Sequence, residues 1–211
     1  MLRLASFLLF LALGCGGPKQ QSAVGESSHS FIPQPISDKR EKLSEAALSL
    51  IEDRVDYDAA YFTIAYPGGD VPKNKGVCTD VVIRTFRKIG TDLQKLVHED
   101  MKRRWKDYPR LWGLPGPDRN IDHRRVPNLM EFFSRHAEVK AGGTNGKAYL
   151  PGDIVAWRLQ NGRTHIGMVV NRLSNDGERY LIVHNIGSGQ VLEDCLFSFD
   201  VIGHYYFEGR K

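Results

Sequence analysis

The sequence has too few cysteines for a domain held together by disulfides. The chain of 211 residues contains three cysteines, Cys15, Cys78 and Cys195, whereas disulfide-rich domains carry a larger and even set. One bridge between Cys78 and Cys195 stays open as an alternative, and it would remove both free thiols. The apolar neighbours of Cys195 favour a buried, inert thiol there.

Strong charge of one sign and long apolar runs are also missing. The formal net charge of +4 is too mild to indicate a nucleic-acid partner, so none is predicted. The apolar run near the start, from Leu4 to Leu13, is shorter than the about 20 residues that a membrane-spanning helix needs. What is present, 41% hydrophobic and 26% charged residues, is the composition of one ordinary globular domain.

Residues 1–14 have the organisation of a secretory signal peptide. Arg3 supplies a positive start, the apolar run follows, and small residues lead to Cys15. The position of Cys15 resembles a bacterial lipobox, in which the cysteine receives a lipid and becomes the first mature residue; ordinary secretion with cleavage nearby is the alternative. We therefore expect an exported protein of the periplasm or cell envelope, held at the membrane by a lipid on Cys15.

The rest of the chain divides into a tether and a domain. Residues 15–37 are rich in Gly, Ser, Gln and Pro and have no apolar period, which predicts a flexible or lipid-anchored tether. Residues 38–211 are predicted to form one domain. Its first helix should begin after Ser37 and bury an apolar face. That face consists of Leu43, Ala46, Ala47, Leu50 and Ile51.

Helical spacing continues through the first half of this domain, and strand patterns fill the second half. Further helices are predicted from Cys78 or Thr79 to Ile89 with Gly90 as cap, through Leu93 to Met101, and after Pro127. A short strand is predicted over 61–66. Later strands are predicted over 153–157, 165–170, 180–184 and 201–207, with a hairpin turn at Asn161-Gly162. Helices followed by an antiparallel sheet define an α+β fold.

Cys78 is the candidate nucleophile. A thiol reacts as the thiolate, and a helix N-terminus lowers a thiol pKa through its unpaired N–H groups. The preceding segment Lys73-Asn-Lys-Gly76 is polar and should leave the sulfur accessible. A buried core cysteine at the start of a helix is the alternative.

His165 is the candidate general base, because a base must lie on a different element from the nucleophile and meet it in space. Strand alternation places His165 and Gly167 on one side and Ile166 on the other, and Gly167 leaves room beside the imidazole. The next predicted strand ends in His184-Asn185, and His184 is the candidate for orienting His165.

Three segments of the predicted sheet carry a specific resemblance. Pro151-Gly-Asp-Ile-Val-Ala-Trp157, His165-Ile-Gly-Met-Val169 and Val183-His184 resemble the three-strand signature of the NlpC-type cell-wall peptidases, papain-like cysteine enzymes that cleave peptidoglycan peptides. The resemblance implies a Cys78, His165, His184 site. It also implies a papain-like fold, in which N-terminal helices pack on a C-terminal antiparallel sheet or small half-barrel.

The resemblance extends to other motifs. Tyr66-Pro-Gly-Gly69 is similar to a Tyr and two Gly that precede the cysteine in the family, which implies that Tyr66 lines the site. The backbone N–H of Cys78 would contribute to an oxyanion hole. A closer likeness, over residues 45–208, is to a bacterial branch of unknown function. Its motifs here are Gly76-Val-Cys-Thr-Asp80, Asp122-His-Arg-Arg125-Val-Pro-Asn128 and Val183-His-Asn-Ile-Gly187.

Three more polar residues are candidates for substrate binding. Asp80 follows Val77-Cys78-Thr79, where the family has Asp-Cys-Ser, and it binds a substrate amine or caps its helix. Arg124 holds a carboxylate of a peptidoglycan stem in a bidentate pair, or else anchors its own loop through salt bridges. Asn185, next to His184, completes the set.

Three functions stay open. The favoured one is an exported cysteine amidase or endopeptidase acting on peptidoglycan peptides. The second is a non-catalytic lipoprotein of the same fold that binds the cell envelope. The third is a metal hydrolase using His165, His184 and Asp153, which is the weakest because the sequence has no HExxH motif. No metal and no cofactor is therefore predicted.

Overall fold

The computed structural model describes residues 35–187 and 189–209. The predicted signal peptide, the lipidation site Cys15 and most of the tether lie outside the described residues, so these expectations stay predictions. Within the two described ranges, every helix is too short or too polar to cross a membrane.

The predicted helices are present. The described residues form α1 (Asp38–Leu48), α2 (Cys78–Lys88), α3 (Leu93–Arg104) and α4 (Val126–His136). The Ser37 side chain caps α1 by accepting the N–H of Arg40 at 3.5 Å, and a proline lies in the first turn of α4. One detail is wrong: Ile51 lies beyond the end of α1 and is 37% exposed.

The strands confirm the α+β fold class. The strands of the described residues are β1 (Asp56–Tyr57), β2 (Lys75–Gly76), β3 (Glu138–Val139), β4 (Ile154–Arg158), β5 (Thr164–Leu173), β6 (Tyr180–Asn185), β7 (Gln190–Glu193) and β8 (Asp200–Tyr206). The short strands β1 and β2 form a parallel pair. The other six form an antiparallel sheet in the order β3-β8-β4-β5-β6-β7.

The two faces of β5 pack into two different cores. Ile166, Met168 and Val170 lie in the larger core, together with the apolar faces of the helices. Val169 lies in a smaller core that also contains Trp157. The alternation predicted for β5 is therefore confirmed, and it places successive residues of the strand on opposite sides of the sheet.

Two predictions of local structure need correction. Residues 61–66 do not form a strand, and side chains bond their backbone instead. Asn120 Oδ1 accepts the N–H of Ile64 at 3.0 Å, and Gln94 Nε2 donates to the carbonyl of Ala65 at 2.8 Å. Strand β7 was not predicted, because its four residues are partly exposed and lack a clear apolar alternation.

Candidate active site

Cys78 is the first residue of α2, as predicted. The Val77 N–H donates to the Asp80 carboxylate at 2.7 Å, which closes the start of the helix. Helix α2 packs on β5, where the backbone N–H of Ile166 donates a hydrogen bond to the Cys78 sulfur. The thiol is thus held against the residue that directly follows His165.

The thiol of Cys78 is less exposed and less acidic than the sequence predicted. Cys78 is 7% exposed, and burial raises its pKa to about 12, although the N–H groups of Ile166, Thr79 and Cys78 itself act in the opposite direction. The predicted lowering by the helix N-terminus is wrong, because the cost of charging a sulfur away from water is larger. Burial therefore favours the thiol form of Cys78 over the thiolate.

His165 is the residue predicted to be the general base. It is buried on β5, and its ring stacks on Trp157 with centroids 5.7 Å apart. Burial and the neighbouring His184 lower the pKa of His165 to about 3, so the imidazole is neutral near pH 7 and is a weaker base than a free imidazole. Its Nε2 lies 2.8 Å from Nδ1 of His184, so this contact uses Nε2 and not Nδ1 of His165.

His184 is placed by the absence of a side chain at Gly167. A Cβ at Gly167 would lie 3.1 Å from Cβ of His184 and 2.8 Å from Cγ2 of Ile182, so only glycine lets the two strands sit this close. Burial lowers the pKa of His184, while its hydrogen bond to Glu193 acts in the opposite direction. Nε2 of His184 lies 3.0 Å from Oε2 of Glu193 and 3.5 Å from Sγ of Cys195.

Asn185 connects the end of β6 to the segment before Cys78. Its Nδ2 donates to the carbonyl of Gly76 at 3.3 Å. Its Oδ1 is buried and has no hydrogen-bond partner within the described ranges. The contacts of Asn185 therefore support positioning of the nucleophile segment, and its substrate-binding role stays a prediction.

Asp80 and Arg124 are engaged with each other. The Arg124 guanidinium donates to both Asp80 oxygens, at 3.0 Å from Nε and 2.9 Å from Nη2, and both side chains are almost fully buried. Arg124 also donates to the carbonyls of Ala60 and Asp58. This arrangement matches the alternatives of a helix cap for Asp80 and a loop anchor for Arg124, and the substrate-binding roles of both residues stay predictions.

The tyrosine that lies next to Cys78 is Tyr57 rather than Tyr66. Tyr66 packs edge-on against His98, with ring centroids 5.2 Å apart, on the side of α3. Tyr57 pairs with Gly76 in the β1–β2 ladder and is 45% exposed, and burial and the nearby Cys78 raise its pKa. Sequence reasoning missed Tyr57 because a two-residue strand has no periodicity to read.

Asp153 does not join the two sheet histidines. Its buried carboxylate accepts hydrogen bonds from Arg40 at 2.7 Å, from His204 at 2.8 Å and from the Leu150 N–H at 2.9 Å. The metal hydrolase built on His165, His184 and Asp153 therefore lacks its carboxylate ligand.

A different group of three ligands lies beside the histidine pair. The ligand atoms of His184, Glu193 and Cys195 lie within 4.8 Å of one another, which a metal ion requires. The 3.0 Å approach of His184 and Glu193 is already accounted for by a hydrogen bond. Among the described residues, these three could hold a metal.

The fold and the site define a single class of protein: an α+β domain in which a helix N-terminus presents a cysteine to a histidine-bearing antiparallel sheet. The chain belongs to the family described as Domain of unknown function (DUF1287), which matches residues 44–207. It is 50% identical to "Uncharacterized protein YijF" of Escherichia coli (strain K12) over 165 residues, which cover 78% of this chain and 80% of that protein. This result agrees with the predicted likeness to a branch of unknown function over residues 45–208.

Proposed function

We propose that this chain is an exported cysteine hydrolase with a papain-like arrangement that cleaves amide bonds in peptidoglycan peptides. The observation that carries the proposal is the 2.8 Å contact between Nε2 of His165 and Nδ1 of His184, next to a residue, Ile166, whose N–H binds the Cys78 sulfur. These contacts support a nucleophile on α2, a base on β5 and an orienting group on β6, three separate elements.

The chemistry begins from a neutral pair. Nδ1 of His165 takes the Cys78 proton while the sulfur attacks the carbonyl carbon of the substrate, and the Cys78 backbone N–H stabilises the oxyanion that forms. His165 then gives its proton to the leaving amine. The same nitrogen next removes a proton from water, and the resulting hydroxide releases the acyl group from the sulfur.

The substrate class rests on two features of the sequence. Residues 1–14 predict export, and the strand motifs resemble those of cell-wall peptidases. Tyr57 is exposed beside Cys78 and offers a ring and a hydroxyl to an approaching peptide. We therefore expect the substrate to be a peptide whose amide bond can approach Cys78 at the start of α2.

The second candidate is a cell-envelope-binding lipoprotein that keeps the fold without the chemistry. The burial of Cys78, with its pKa raised to about 12, favours it. The two candidates differ in one property. Only the enzyme releases fragments from peptidoglycan, and this release should stop when the Cys78 sulfur is removed.

The test is digestion of purified peptidoglycan sacculi by the full chain, with mass analysis of the released fragments. Cys78→Ala should lower release by at least about 10³-fold. Cys195→Ala, the matched control, removes the other described free thiol and should keep release within about threefold. Equal release by the wild type and Cys78→Ala, or no release by the wild type, would overturn the proposal.

A further inference from the structure

We propose that Glu193 is a positioning residue that fixes the tautomer of His184 and, through it, prepares His165 to accept the Cys78 proton. This inference rests on the proposed hydrolase for its kinetic consequences. The tautomer assignment itself stands on geometry and can be measured without any substrate.

The polar contacts form a continuous chain from His165 to the surface. Nε2 of His165 meets Nδ1 of His184 at 2.8 Å, and Nε2 of His184 meets Oε2 of Glu193 at 3.0 Å. His184 is fully buried, whereas the side chain of Glu193 is 51% exposed. The chain therefore ends on a carboxylate in contact with water.

The Glu193 carboxylate fixes the direction of the hydrogen bonds in the chain. A carboxylate is an acceptor only, so Nε2 of His184 must carry the proton that it donates to Glu193. A neutral His184 then has a bare Nδ1, which accepts the Nε2–H of His165. Nδ1 of His165 is consequently bare as well, and it is the nitrogen that takes the thiol proton.

Strand register explains why Glu193 fills this position. Glu193 pairs with Ile182, and His184 pairs with Val191, so Glu193 and His184 lie on the same face at a diagonal spacing. Asp194, the next carboxylate, is held by Arg179 at 2.6 Å. Asp194 is therefore bound to Arg179 and not to His184, which makes it a suitable control for Glu193.

Cys195 makes the role of Glu193 necessary. Its sulfur lies 3.5 Å from Nε2 of His184, and a thiol is a weak donor. Without Glu193, the Cys195 thiol can donate to Nε2 of His184, which moves the His184 proton to Nδ1. His184 then donates to His165, the His165 proton moves to Nδ1, and the acceptor for the Cys78 proton is lost.

The direct test is nitrogen NMR of the histidine rings in the full chain, which reports the protonated nitrogen of each ring. In the wild type, His165 and His184 should both carry the proton on Nε2. Glu193→Ala should shift both rings toward the Nδ1–H form, and adding Cys195→Ala to it should restore the wild-type forms in part. The control Asp194→Asn removes an equal charge from the neighbouring residue and should leave both rings unchanged.

The kinetic test uses fragments released from sacculi. Loss of a fully buried orienting carboxylate costs about 10⁴ in kcat in serine proteases, and water can replace part of the half-exposed Glu193. We therefore expect Glu193→Ala to lower kcat by roughly 10²-fold with KM changed less than about threefold, and Asp194→Asn to change neither.

Two results would overturn this inference: a wild-type His165 protonated on Nδ1, or wild-type tautomers in Glu193→Ala. If the tautomers are as proposed and the wild type releases nothing from sacculi, the proposed function fails while the tautomer assignment holds.

Discussion

Two groups of histidine and carboxylate lie on the same sheet and differ in how they end. In the first, Asp153 is fully buried and binds His204 together with Arg40. In the second, the carboxylate of Glu193 lies at the surface, and the chain runs inward through His184 to His165. The carboxylate of the first group has only buried partners, and the second group runs from the surface to the buried imidazole of His165.

The pKa values show the consequence of this difference. Burial alone would raise the pKa of Asp153, yet hydrogen bonding to His204 and the charge of Arg40 hold it below its ordinary value. His165 has no carboxylate of its own, and burial lowers its pKa to about 3. A buried polar group with complete charged partners stabilises the fold, whereas one left neutral keeps a nitrogen available for proton transfer.

The largest effect on stability is expected in the first group, where the buried Asp153 binds His204 and Arg40. Asp153→Ala leaves Arg40, Lys140 and His204 without their carboxylate, which should lower the free energy of unfolding by about 3–5 kcal/mol. Glu193→Ala, in the second group, should lower the free energy of unfolding by less than about 1 kcal/mol, because the Glu193 carboxylate is half exposed. Urea unfolding of the two variants measures both values, and equal losses would remove the distinction between the groups.

A smaller effect on stability is expected from Gly167→Ala. This substitution displaces His184 relative to His165 without removing a polar atom. The new Cβ would meet Ile182, the Val183 carbonyl and His184 at 2.8, 3.0 and 3.1 Å. We expect unfolding free energy to fall by about 1–3 kcal/mol and fragment release to fall by at least about 10-fold.

The control for this variant is Gly116→Ala, whose Cβ would meet no atom within 4 Å. It should change neither quantity. Full activity of Gly167→Ala would show that the spacing of His165 and His184 tolerates a shift of β6.

The smallest effect concerns Asp122, a buried carboxylate with incomplete partners. Its Oδ2 accepts the Asp118 N–H at 2.6 Å, its Oδ1 has no partner within the described residues, and burial raises its pKa to about 7. The folded state thus binds this proton more tightly than the unfolded chain, so the contribution of Asp122 to stability is full below about pH 4 and is lost as the pH rises through 7.

Asp122→Asn removes this dependence. The free energy of unfolding of the variant minus that of the wild type should rise by on the order of 1 kcal/mol from pH 5 to pH 8. Urea unfolding of both proteins at the two pH values measures this rise. The same difference between variant and wild type at the two pH values would show that Asp122 is paired as completely as Asp153.

Local patterns predicted most of the elements and the three central residues of the site. The helix that begins at Cys78 and the alternation around His165 involve residues close in the chain, so spacing alone reveals them. Tyr57 and Glu193 belong to strands of two and four residues, which are too short to show a period. Asp80 and Arg124 are 44 residues apart, and no local pattern indicates that they pair with each other.

The sequence by itself determined the α+β class, a helix that starts at Cys78 or Thr79, and two later strands that carry His165 and His184, because these depend on periodicity and capping. Only the tertiary structure decided which polar groups meet: Asp80 with Arg124, Asp153 with His204, and His184 with Glu193. It also decided that Cys78 is buried, which raises the pKa of its thiol. Burial depends on everything that packs around an atom, and segments distant in the chain supply most of that packing.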